Sequence, residues 1–139
     1  MSLYADFKTN LKLENEGVKI EYGPNEDGTI PAFWISRMNK SNKAYSKAVE
    51  AEMKPYRRQI QLGTMNNDLA EQLLRKVFVK SILKGWENVR SEDGAELEFG
   101  HEQALKLFSD LPELYEDLRA KAESLAIFRE EELAEDAKN

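Results

Sequence analysis

The stretch from Asp68 to Trp86, DLAEQLLRKVFVKSILKGW, is the densest apolar segment of the chain and constrains everything packed around it. Ala70, Leu73, Leu74, Val77, Phe78 and Ile82 follow helical spacing. Leu69, Val79 and Leu83 widen that stripe until only Glu71, Gln72, Arg75, Lys76 and Lys80 are left for water. A stripe this broad predicts a helix packed on more than one side. Asn66 or Asn67 supplies an N-cap oxygen, and Gly85 is placed to take the left-handed conformation that ends the helix at Trp86.

What precedes this segment is a hairpin and a basic helix. Leu3, Tyr4, Phe7, Leu11 and Leu13 give residues 1–16 near-helical apolar spacing, as in a short helix or an arm that docks on a neighbour. Val18, Ile20 and Tyr22 then alternate with Lys19 and Glu21 ahead of Gly23, Pro24, Asn25, Asp27 and Gly28, so residues 17–36 read as a β-hairpin with its second strand over 29–36. Two strands alone are marginal in water, which requires the hairpin to lie on helices or to pair with another chain. From Asn39, Tyr45, Val49, Met53, Tyr56 and Ile60 recur at spacings of three and four, and Pro55 predicts a kink or break near Lys54. The outer face of this helix carries Lys40, Lys43, Lys47, Lys54, Arg57 and Arg58 against Glu50 and Glu52.

After Trp86, Glu92, Asp93 and Gly94 mark a turn and Leu97–Phe99 a short extended piece. His101 opens a helix with Ala104, Leu105 and Phe108 inward. Asp110–Glu113, DLPE, has capping-box spacing with Pro112 in the first turn of a last helix carrying Leu114, Leu118, Ala122 and Leu125, with Phe128 extending that face. Residues 129–139 form an acidic, fraying end. The whole is a single domain of the mainly α class: four to five helices packed around a central helix, with a small N-terminal β-hairpin and a helical body over 39–128.

Chemistry is sparse. The chain has 139 residues, no cysteine and one histidine, so thiolate metal sites are excluded and most acid–base schemes near neutral pH are removed. His101 is followed by Leu105 where a zinc-protease helix would carry a second histidine. Glu92, Asp93, Glu96 and Glu98 lack the spacing of a calcium loop and read as a solvated turn. There is no glycine-rich phosphate loop and no signal-peptide or membrane-spanning run, so a soluble cytoplasmic protein without enzymatic activity, metal or cofactor is expected.

Charge is the more informative property. Net charge is −6, but residues 1–63 hold 10 Lys and Arg against 8 Asp and Glu, while 64–139 hold 10 against 18. Such asymmetry can orient subunits that meet head to tail, and it is equally compatible with ordinary solvation. Lys54, Arg57 and Arg58 with Tyr56 in KPYRRQ are the candidates for electrostatic recognition of an acidic partner, a neighbouring copy's C-terminal half included; the alternative is a plain solvated face. Nucleic acid is disfavoured by a pI near 5.0 and the small size of the basic field. Trp34 and Trp86 serve either as core anchors or at an interface.

The order of GVKIEYG, IPAFWISRMNKSNKAYSKAV, KPYRRQI and the segment KGWENVRSEDGAELEFGHEQALKLFSDLPELYEDLRAKA, over roughly residues 17–128, resembles the tail assembly chaperones of long-tailed bacteriophages. The resemblance implies a small protein of the host cytoplasm that binds and solubilises the tape-measure protein, helps recruit tail-tube subunits, self-associates, and is absent from the mature virion. With its end at Asn139, the chain is similar to the short, non-frameshifted form. Tyr56, Arg57, Arg58, Trp86, Leu125 and Phe128 are then the candidate partner-binding residues. The alternative is a small nucleic-acid-binding or regulatory phage protein that uses the basic helix 40–58.

Overall fold

Alternation of apolar and charged side chains over Val18–Glu21 makes a strand, β1, with Val18 and Ile20 inward and Lys19 and Glu21 in solvent. In the computed structural model, which describes Leu3 and residues 17–124, β1 pairs antiparallel with β2 (Ala32–Ile35) in the register Val18↔Ile35 to Glu21↔Ala32. The expected hairpin is present, with a second strand shorter than 29–36. Its connection is fixed by Asp27, whose carboxylate accepts from the Thr29 N–H at 3.0 Å and the Thr29 hydroxyl at 2.5 Å. Gly17 leads in with φ of 98°, and a Cβ there would lie 3.1 Å from the Ile35 backbone, so this approach requires glycine. The arm expected before Gly17 and the acidic end at 129–139 lie outside the described residues, Leu3 excepted.

The central apolar segment is divided between two kinds of structure. Residues Lys43–Met53 form α1, Arg57–Leu62 form α2, and Asn67–Ser81 form α3. Asn66 caps α3, its side-chain oxygen accepting from the Asp68 N–H at 2.8 Å, as its position predicts. The helix does not run on to Trp86. The Ser81 hydroxyl donates to the Val77 carbonyl at 2.6 Å, the Ser36 N–H takes the Ile82 carbonyl at 2.9 Å, and Leu83–Glu87 continues as a strand, β3, paired antiparallel with β2. Gly85 therefore lies opposite Trp34 inside a sheet and does not terminate a helix. The mainly α architecture with a two-stranded hairpin is overturned: the sheet has three strands in the order β1–β2–β3, and the fold is mixed α/β. The physical reason lies in Phe33 and Trp86, which face each other across β2 and β3 with rings edge to face at 5.9 Å. That cross-strand pair and the added third strand stabilise the sheet more than one further helical turn would.

Helices α4 (His101–Asp110) and α5 (Pro112–Glu123) close the body. Ala104, Leu107 and Phe108 of α4 and Tyr115, Leu118 and Ala122 of α5 are buried against Phe78, Val79 and Ile82. Phe78, Phe108 and Tyr115 form a ring cluster with centroids 5.3 to 5.9 Å apart. The expected DLPE capping box is not made, because Leu111 is the only residue between the two helices. Asp110 still belongs to α4, where its carboxylate pairs with Lys106 at 3.1 Å, and no side chain caps α5.

Three buried polar residues tie the layers together. Asn42 caps α1 by accepting from the Tyr45 N–H at 3.2 Å, and its amide donates to the Arg37 carbonyl at 2.9 Å and to Ser36 Oγ at 3.3 Å. Ser36 in turn donates to the Ser81 carbonyl at 3.2 Å. The end of β2, the start of α1 and the end of α3 thus share one satisfied network. Just beyond β2, the Met38 N–H bonds to the Ala122 carbonyl at 2.9 Å, which anchors the end of α5.

Candidate partner-binding surface

Pro55 breaks the basic helix where its missing donor predicts. Residues Lys54–Tyr56 form one 3-10 turn between α1 and α2. Gly63, with φ of 66°, closes α2 in the left-handed conformation, and the chain reverses through Thr64 and Met65 into α3. The result is a helical hairpin whose distal end holds no core. No residue from Ala51 to Gln72 is buried, and α2 is 46% exposed at Ile60 and 65% at Leu62. Tyr56 and Met65 are half-buried beside them. Lys54, Arg57 and Arg58 project into solvent from the same tip, with no ion pair to any described residue. Cationic and apolar groups together on an element that buries nothing of its own are the composition of a contact surface.

The candidate residues therefore do not form one site. Tyr56, Arg57 and Arg58 stand at the tip, before the start of α3. Trp86 belongs to β3, after the end of α3, a helix about 22 Å long by its rise per residue. There its indole N–H donates to the Leu97 carbonyl at 2.9 Å, and its ring lies edge-on to Phe33 and to Phe99. Trp86 is thus half-buried in an aromatic row, Tyr22, Phe33, Trp86 and Phe99, whose last member is 43% exposed. Trp34 is also half-buried, with the Lys19 ammonium 5.4 Å from its ring centre. Leu125 and Phe128 lie outside the described residues.

Around Trp86 is a cleft of about 330 Å³, bounded by Glu87, Glu96, Leu97, Glu98 and Phe99. It is shaped by the turn at 91–95. Asp93 accepts from the Ser91 hydroxyl, and the Ser91 N–H bonds to the Ala95 carbonyl at 2.8 Å. The Ser91 bond, with a second from the Ala95 N–H, holds the Asp93 carboxyl below its ordinary value. The Leu97 N–H then bonds to the Val89 carbonyl at 2.8 Å, holding the 96–98 segment, whose Glu96 and Glu98 line the cleft. Asn88, in the left-handed region at φ of 58°, completes the frame: its amide donates to the Ile30 carbonyl at 3.0 Å, and its own carbonyl accepts from Asn25 at 2.8 Å. Glu87 pairs with Lys19 at 3.3 Å, while Glu96 and Glu98 form no ion pair among the described residues. Sequence reasoning places Glu96 and Glu98 in a solvated turn; the aromatic wall beside them is visible only once β3 has formed.

No group of three or more His, Asp or Glu among the described residues is arranged to hold a metal ion. No helix among them is long and apolar enough to cross a membrane. The tip and the cleft both fall inside one matching region: the model of the YdaY prophage protein family matches residues 40–139. The chain belongs to this family. It is a phage-derived protein, and the YdaY match takes in the tip, α3, β3 and the cleft, while the β1–β2 hairpin lies before it. No curated protein and no solved structure matches the chain.

Proposed function

We propose that this prophage protein is a tail assembly chaperone: a non-enzymatic protein that acts in the host cytoplasm, binds and solubilises the tape-measure protein, helps bring tail-tube subunits to it, and leaves before the virion is complete. The observation that carries the reading is the helical-hairpin tip, Ala51–Gln72, which buries no residue and displays Tyr56, Ile60 and Leu62 beside Arg57 and Arg58. A long helical client presents apolar stripes that must be kept from one another, and many copies of a small acidic protein can cover them while the net charge of −6 keeps the assembly dispersed. Phage origin and the order of motifs along the chain support the same reading.

The test is co-expression with the large helical protein encoded beside it, followed by size-exclusion chromatography with light scattering. A soluble co-eluting complex with several copies per client is expected, and a client that stays insoluble would refute the role. The basic helix 40–58 also suits a nucleic-acid partner. In that case binding would fall steeply between low and moderate salt, whereas apolar client binding would persist.

A further inference from the structure

Two surfaces of this molecule are complementary in charge, and neither the arginines of one nor Glu96 and Glu98 of the other have an ion-pair partner among the described residues. The tip projects Arg57 and Arg58 with Ile60 and Leu62 at their side. The cleft offers Glu96 and Glu98 beside the half-buried Trp86 and Phe99, which is 43% exposed. A guanidinium suits such a place, since its planar face stacks on an aromatic ring while its edge donates to carboxylates. No ion pair joins the tip to the cleft among the described residues, and α3 separates them.

We infer that the tip of one copy docks in the Glu96–Glu98–Phe99 cleft of a second copy, with Arg57 and Arg58 meeting the carboxylates and Ile60 and Leu62 covering the exposed edge of Phe99. This rests on the chaperone reading and names the partner of the tip surface. Because tip and cleft are different patches, the contact is heterologous: each copy keeps one free tip or cleft, and the array grows unless its rotation closes a ring. The acidic excess beyond residue 63 attracts an incoming basic tip at long range, and the apolar contacts hold it once docked.

Sedimentation velocity on the chain alone, over a concentration series at low salt, tests this without any client. The wild-type chain should self-associate. The double reversals Arg57→Glu with Arg58→Glu, and Glu96→Lys with Glu98→Lys, should each weaken association roughly tenfold or more. All these positions are exposed, so each variant should keep its helical circular dichroism spectrum. Placing all four reversals in one chain should restore association, because the charges again match. Phe99→Ala should weaken it roughly twofold to fivefold. A chain that stays monomeric throughout, reversals without effect, or a four-fold variant that fails to recover would each overturn the proposed contact. Client solubilisation by a strictly monomeric chain would do so while leaving the chaperone reading intact.

Discussion

The two halves of α3 use the same helical pattern in opposite ways. Toward its C-terminus, Leu73, Val77, Phe78 and Val79 are buried, Phe78 and Val79 in one core with the sheet, α4 and α5. Toward its N-terminus, Leu69 and Ala70 are half-buried, and everything across the hairpin from them, Arg57 to Leu62, is in solvent. One end of the helix is consumed by the fold and the other is held out from it. The difference teaches that an amphipathic stripe reports a surface to be covered and does not specify what covers it.

This contrast can be broken most strongly in the body. Phe108→Ala empties the centre of the ring cluster with Phe78 and Tyr115, and it should cost about 3–5 kcal/mol, read as a lower denaturant midpoint. Asn42→Ala removes the cap of α1 and the buried amide that donates to the Arg37 carbonyl and to Ser36 Oγ. A loss of about 1–3 kcal/mol is expected in the same measurement, and an unchanged midpoint would show that the network does not hold the layers together.

A smaller effect appears with pH. Burial, the 2.5 Å bond to Asp117 and that carboxylate's charge push the Tyr22 hydroxyl above its ordinary value of 10.0, and burial pushes Tyr115 up as well against the charges of Arg119 and Arg75. Raised folded values mean that the stability from keeping these phenols neutral is complete below pH about 10 and is lost as pH rises above it. The denaturant midpoint should therefore decline in that range, and Tyr22→Phe should reduce the decline. At the acid end, bonds from Lys121 and Tyr22 hold the Asp117 carboxyl low, so its contribution fades only as pH falls below the ordinary carboxylate value, and its exposure keeps that contribution small. The smallest stability effects belong to the tip: Ile60→Ser and Leu62→Ser should change stability by no more than about 0.5 kcal/mol while impairing association. A large loss of stability there would show the tip to be part of the core.

Much of this was readable in the sequence because it depends on local chemistry. Pro55 dictates the break before Arg57, Asn66 the start of α3, Gly94 the turn, and the alternation of Val18 and Ile20 the first strand. What escaped depends on partners distant in the chain. Ile82 and Leu83 fit the helical stripe of α3 as well as they fit a strand, since a short apolar run carries no decisive period. Only the approach of Phe33 selects strand, and with it a mixed fold. Tyr115 was absent from the expected face of α5 and is buried among rings contributed by α3 and α4. For the candidate surface, Tyr56, Arg57 and Arg58 were legible from composition, but their separation from Trp86 by the length of α3 was not. The 65% exposure of Leu62 was not legible either, since it depends on which elements face α2, and none does so closely enough to bury it among the described residues.

Amide hydrogen exchange tests most directly whether the tip is held out for a partner. In the dilute chain, residues Ala51–Gln72 should exchange much faster than Leu73–Ser81. On assembly with client, protection should rise at the tip and change little in the buried half of α3. A tip already as protected as the body in the free chain, or one whose exchange is unaltered in the assembled complex, would contradict the claim.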